Sequence, residues 1–156
     1  MILATPSGRG VGQGTLAIKV IANRDVKTLR DAYEALNQGD IERALAVLDE
    51  QAEWCEHSDL PEAGLYRGRD AIRTFLESFL ESWEDFTQET EDVMAGEGSV
   101  LILLRSRSRG KGSGISVEAR YAHLWTMRDG RGTRVDAYFD RDEALSAMKP
   151  GAARPG

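Results

Sequence analysis

The sequence predicts an α+β domain in which three N-terminal helices pack on one face of a curved, mostly antiparallel sheet. Apolar residues recur at helical spacing through the first half of the chain and alternate with polar ones through most of the second. Glycine-rich turns separate the alternating runs, as hairpins require. Helices lead and a meander of strands follows, which is the order of an α+β domain rather than of a parallel βαβ sheet.

The first helix is expected from Val26, with Asp25 as N-cap and Val26, Leu29, Ala32, Tyr33 and Leu36 on one stripe, and Asn37-Gln-Gly39 stops it. Asp40 caps a second, short helix whose apolar stripe is Ile41, Ala44, Leu45, Val47 and Leu48, and residues 52–57 alternate as a brief strand. A loop follows through Pro61 and Gly64. The third helix covers residues 70–83, with Ile72, Phe75, Leu76, Phe79, Leu80 and Trp83 on one face. Strands are expected at about 86–94, 99–107, 115–128 and 133–139, joined by turns at Gly96-Glu-Gly98, residues 110–114 and Asp129-Gly130.

With 156 residues, 41% hydrophobic and 29% charged, the chain suits one domain with a core large enough to enclose a cavity. Residues 1–24 read as a flexible leader, 25–148 as the folded domain and 149–156, with two prolines and two glycines, as a disordered tail. The glycines at 8, 10, 12 and 14 do not follow a strand, so they do not make a dinucleotide fingerprint. A net charge of −6 with mixed signs argues against binding nucleic acid through its phosphates. No apolar run reaches membrane-spanning length, and no secretory signal is legible, so a cytoplasmic protein with no membrane contact is expected. One cysteine and two histidines distant in sequence offer no metal motif; neither metal nor cofactor is expected.

The richest stretch is 113–127, where Ile115, Val117, Ala119, Tyr121, His123, Trp125 and Met127 fall on one strand face. That face reads as a pocket wall with His123 in its middle. Trp54 and Glu56 share a face of the earlier strand, and a carboxylate beside an indole in a dry pocket suits a general acid or base. In the last strand Thr133, Val135, Ala137 and Phe139 form the apolar side, turning Asp136 away from the cavity. Cys55, opposite Trp54 and Glu56, reads as a small buried hydrophobe.

Tyr33-Glu-Ala-Leu-Asn-Gln-Gly-Asp40, Glu53-Trp54, Tyr66-Arg-Gly-Arg-Asp-Ala-Ile72, Trp125-Thr-Met-Arg-Asp-Gly130 and Tyr138-Phe-Asp-Arg-Asp-Glu-Ala-Leu145 resemble the SnoaL-like branch of the nuclear transport factor 2 superfamily, over about residues 25–148. The resemblance implies a cone-shaped α+β barrel with a deep apolar pocket, dimeric through its sheet. It implies no single function, since the superfamily holds isomerases, epoxide hydrolases, cyclases and non-catalytic binders. It places Glu56 where ketosteroid isomerase has its proton-abstracting carboxylate, and that enzyme's oxyanion tyrosine at Ala32, with Tyr33 about 100° further round the helix. The last-strand aspartate of the hydrolase and cyclases falls at Ala137.

Three readings follow. One is a binding protein holding a hydrophobic metabolite, with Trp54, Tyr66, Phe79, Arg105, Trp125, Val135 and Ala137 lining its site. The second is a cofactor-free isomerase, cyclase or lyase in which Glu56 moves a proton while His123 or Tyr121 stabilises the developing charge. The third is a dimeric protein-interaction module. Arg105 serves the first two if its strand turns its odd-numbered face inward, where it could pair with Glu56 or hold an anionic head; Val100, Ile102 and Leu104 support the opposite orientation equally. His57, Asp59 and Tyr66 are candidates for the entrance.

Overall fold

A computed structural model describes residues 6–59 and 63–148, with side chains from Val20 onward. The elements are α1 (Pro6–Asn37), α2 (Ile41–Leu45), β1 (Leu48–His57), β2 (Gly64–Arg67), α3 (Arg69–Glu81), β3 (Trp83–Gly96), β4 (Ser99–Gly110), β5 (Ser116–Arg128), β6 (Arg131–Tyr138) and α4 (Arg141–Ala147). The expected α+β class is the observed one. The strands form a single six-stranded sheet in the order β2-β1-β6-β5-β4-β3, antiparallel except for the parallel pair β1–β6.

Several boundaries differ from expectation. α1 begins at Pro6, so most of the segment read as a leader is helical and Asp25 is a buried position inside the helix, beside Arg24, not its cap. The apolar run 16–22 continues the helical pattern backwards, and each glycine upstream costs only about 1 kcal/mol relative to alanine. The segment 149–156 lies outside the described residues. α2 is shorter than its apolar stripe because Leu48 already belongs to β1; Asp40 caps it as expected, accepting from the Arg43 amide at 3.1 Å. β2 and α4 went unpredicted: β2 has four residues, and α4 follows the last strand directly, capped by Asp140 through the amides of Asp142 and Glu143.

The sheet has two covered faces. Its concave face carries α1 and α3 over a core of Leu29, Tyr33, Trp54, Ile72, Ile102, Leu104, Trp125 and Val135. On the opposite face α4 covers a smaller cluster, in which Ala144 meets Leu101, Ala122, Leu124 and Tyr138. Register irregularities at 84–87 and 90–92 in β3, and at Thr133 of β6 opposite Thr126 and Met127, mark bulges, which bend strands and increase twist. The β5–β6 hairpin turns through Asp129 and Gly130, both at positive φ, as the predicted Asp-Gly turn requires. Asn37 staples the end of α1 to β3: its amide donates to the carbonyl of Gln88 and accepts from the Gln88 N–H, both at 2.8 Å.

Candidate functional site

Strand pairing lines up the concave face residue by residue. Trp54 pairs with Val135 and Glu56 with Ala137 across β1–β6; His123 pairs with Ala137 and Trp125 with Val135 across β5–β6. Ile102 and Leu104 on β4 register with His123 and Tyr121, and Tyr66 on β2 with Trp54. Because strand side chains alternate, these registers bring Trp54, Glu56, Tyr66, Tyr121, His123, Trp125, Val135 and Ala137 to one surface.

α1 supplies the group that organises them. Tyr33 lies on the buried stripe with Val26 and Leu29, and its hydroxyl is 2.7 Å from Nδ1 of His123. The Trp125 indole N–H donates to the same hydroxyl at 2.9 Å. Tyr33 Oη thus meets both Trp125 Nε1, from which it accepts, and His123 Nδ1, with the direction of the second bond following the imidazole tautomer. The ring is enclosed: Trp54 meets it edge-on at 5.0 Å between centroids, Tyr33 stacks at 5.9 Å and Tyr121 lies at 5.4 Å. Burial drives the imidazole pKa down to about 3, so His123 is neutral throughout the physiological range. The sequence admits a histidine that shuttles protons near neutrality; this one is a fixed neutral hydrogen-bonding group.

Glu56 is held by its strand neighbour, the Trp54 indole N–H donating to Oε1 at 2.7 Å. The phenols of Tyr121 and Tyr33 are both pushed up, chiefly by burial, and stay protonated; a hydrogen bond with Ser106 pulls Tyr121 the other way, while the nearby Glu56 charge adds to the rise. Trp54 continues outward to Phe75 on α3 at 6.3 Å, and Phe75 meets Tyr66 at 4.4 Å with the rings tilted by 30°. The centre of the concave face is thus filled by its own rings. Two surface recesses of about 350 and 340 Å³ lie elsewhere, one between α1 and the Asp129–Gly130 turn, the other beside Arg107 and Val117.

Three expected positions are not in this cluster. Arg105 lies on the opposite face, pairing with Glu89, Glu91 and Glu118, because the even-numbered Val100, Ile102 and Leu104 are the concave side of β4. Phe79 sits further along α3 against Trp83 and Phe86 and is partly exposed. His57 is on the outer face, bonded to Asp136 at 2.8 Å, and does not reach the entrance. Two residues that touch the cluster carried no site expectation: Tyr33, legible as a buried hydroxyl on the α1 stripe, and Phe75, whose helical spacing marked it as core.

Comparison with known proteins places this geometry in a lineage. The sequence profile described as "SnoaL-like domain" matches residues 29–135, more than half of the chain. The chain belongs to the SnoaL-like family. This SnoaL-like chain is also similar to a nuclear transport factor 2-like protein from Burkholderia thailandensis E264, at 26% identity over 81% of this chain and 98% of that one, with a TM-score of 0.67. It resembles in fold a putative SnoaL-like polyketide cyclase from Jannaschia sp. CCS1, at 16% identity, 83% and 94% coverage and a TM-score of 0.69. A third fold relative is TerC, co-crystallised with polyporic acid, at 20% identity, 79% and 96% coverage and a TM-score of 0.68. No curated protein sequence matches the SnoaL-like chain. Among the described residues, no helix is long and apolar enough to cross a membrane.

Proposed function

We propose that this SnoaL-like protein is a cytoplasmic small-molecule binder that holds a hydrophobic metabolite against the aromatic surface of Trp54, Tyr66, Phe75 and Tyr121. Glu56 and His123 orient the ligand's polar atoms. One observation carries the reading: His123, enclosed by rings and bonded to Tyr33, has its pKa driven by burial to about 3, which unsuits it for proton transfer at neutral pH. Tyr33 engages Nδ1 of the imidazole, so Nε2 is the ring nitrogen His123 offers to a ligand.

A catalytic reading rests on a separate observation. The Tyr121 phenol, kept protonated by burial, lies within the electrostatic reach of Glu56. A carboxylate that removes a proton beside a phenol that stabilises the resulting oxyanion is the minimal equipment of an isomerase, cyclase or lyase. The homodimer rests on the family resemblance, and light scattering on the eluted protein decides it.

Purification from extracts of the native host followed by native mass spectrometry is expected to find a retained small molecule, and polyporic acid serves as a defined probe. Saturable quenching of tryptophan fluorescence by polyporic acid, lost in Trp54→Ala but kept in Trp83→Phe, supports the concave surface as the site. A protein that retains nothing and shows no saturable quenching overturns the binder. A retained molecule that wild type converts and Glu56→Gln does not replaces the binder with the enzyme.

A further inference from the structure

The outer face of the sheet carries a second group of chemically competent side chains. Cys55 and His57, two residues apart on β1, share the face opposite Trp54 and Glu56. The parallel pairing of β1 with β6 sets Cys55 directly against Asp136 and His57 against Tyr138. A thiol, an imidazole nitrogen and a carboxylate oxygen thereby converge within 4.8 Å of one another, all three residues half-buried. All are fixed by sheet register and none sits in a loop.

Neighbouring side chains hold this trio in place. The His57 ring lies flat on Tyr138, with centroids 4.5 Å apart and planes at 6°. His57 Nε2 is 2.8 Å from Asp136 Oδ1. Arg134 also holds the carboxylate, donating from Nε to both oxygens at 3.1 and 3.0 Å and from Nη2 to Oδ1, the oxygen His57 engages, at 2.9 Å, while its Nη1 reaches Glu53 at 3.3 Å. An oriented imidazole and a hydrogen-bonded carboxylate are what the surroundings of a metal ligand set ordinarily provide.

We propose that Cys55, His57 and Asp136 bind a divalent transition-metal ion of the zinc class on the outer face of the sheet. Thiolate, imidazole and one carboxylate together select zinc or cobalt over magnesium and calcium, which take oxygen donors. Bonds of about 2.0–2.3 Å to the ion would set the donors roughly 3.3–3.8 Å apart in a tetrahedron. The observed convergence needs only a small opening of the His57–Asp136 pair, the ion replacing the proton they share. With the Cys55 thiol proton released to solvent, thiolate and carboxylate balance the ion's two charges, while Arg134 stays hydrogen-bonded to both oxygens of Asp136 and to Glu53. A three-residue set leaves a fourth position for water or an incoming ligand. Neither the concave cluster nor the metabolite reading enters this argument.

Cobalt(II) titration of the purified protein tests it. One equivalent is expected to give a thiolate-to-cobalt charge-transfer band with intense tetrahedral d–d absorption, both bleached by zinc. In the wild-type protein, saturating zinc is expected to slow alkylation of Cys55 by iodoacetamide at least tenfold. Cys55→Ser should abolish the charge-transfer band, and His57→Gln and Asp136→Asn should each weaken cobalt binding tenfold or more. A wild-type titration without a charge-transfer band overturns the site. So does an alkylation rate indifferent to zinc, a measurement that depends on no variant folding. A band that survives unchanged in both His57→Gln and Asp136→Asn reduces it to a lone thiolate and overturns it equally.

Discussion

The Tyr33 hydroxyl and His123 Nδ1, 90 positions apart in the chain, meet at 2.7 Å inside the core and tie the first helix to the fifth strand. Removing the hydroxyl alone, in Tyr33→Phe, leaves Trp125 Nε1 without its acceptor and His123 Nδ1 without this hydrogen-bond partner in a buried setting. The expected loss is about 2 kcal/mol, the penalty range for unmatched buried polar groups. Urea unfolding checks it: the midpoint should fall while the slope stays constant.

His123 should also shape the response to acid. Its folded pKa near 3 lies below the unfolded value of 6.5, so between those limits the unfolded chain binds more protons. Stability therefore falls as pH drops below 6.5, by about 1.4 kcal/mol per unit for this one group, or about 2 kcal/mol by pH 5. The charged and titratable groups around it are Tyr33 from α1, Glu56 from β1 beyond Trp54, and Tyr121 on its own strand; both phenols stay neutral over this window. Unfolding measured between pH 7 and 5 should show the decline in wild type and a flatter profile in His123→Gln. Equal slopes would mean that the imidazole is not buried neutral.

Gly132 is a packing requirement. A Cβ placed there would lie 2.6 Å from Cζ3 and 2.7 Å from Cε3 of Trp125. Gly132→Ala is therefore expected to displace the indole that donates to Tyr33, at about 1–3 kcal/mol. The near-ultraviolet circular dichroism of the tryptophans should change together with the midpoint; an unchanged spectrum would show that the strand yields and the indole does not.

Arg105 should be dispensable for ligand retention. It is paired with three glutamates on the far side of the sheet, so Arg105→Ala is expected to leave polyporic acid quenching unchanged and to lower stability by less than about 1 kcal/mol. A tenfold loss of binding would return it to the site.

Period-two alternation made most of the concave face readable, because Trp54 with Glu56, and Tyr121, His123 and Trp125 together, need only their own strand to set their direction. β4 defeated that rule. Both of its faces are apolar, Val100, Ile102 and Leu104 on one and Leu101 and Leu103 on the other, since α4 covers the second, and α4 was not foreseen. Tyr33 was legible as a buried hydroxyl but not as the partner of His123, which depends on how α1 lies across the sheet. The meeting of Cys55, His57 and Asp136 was less legible still: it requires the parallel register of β1 and β6, a pairing that no local pattern encodes.

The β1–β6 pairing also sets a timetable for the chain as it is made. β1 can pair with β2 almost at once, but its other neighbour is nearly 80 residues downstream and emerges after β3, β4 and β5 have formed their own meander. Contacts this distant in sequence slow folding, because the loop must close before the contacts repay it. Both faces of the molecule share the delay. On one side Trp54 meets Trp125 and His123 only when β6 joins β1 to β5, and on the other Cys55 and His57 wait for Asp136, so a nascent chain halted before residue 131 would hold both groups unjoined and an open sheet edge at β1, the state most exposed to pairing with another chain.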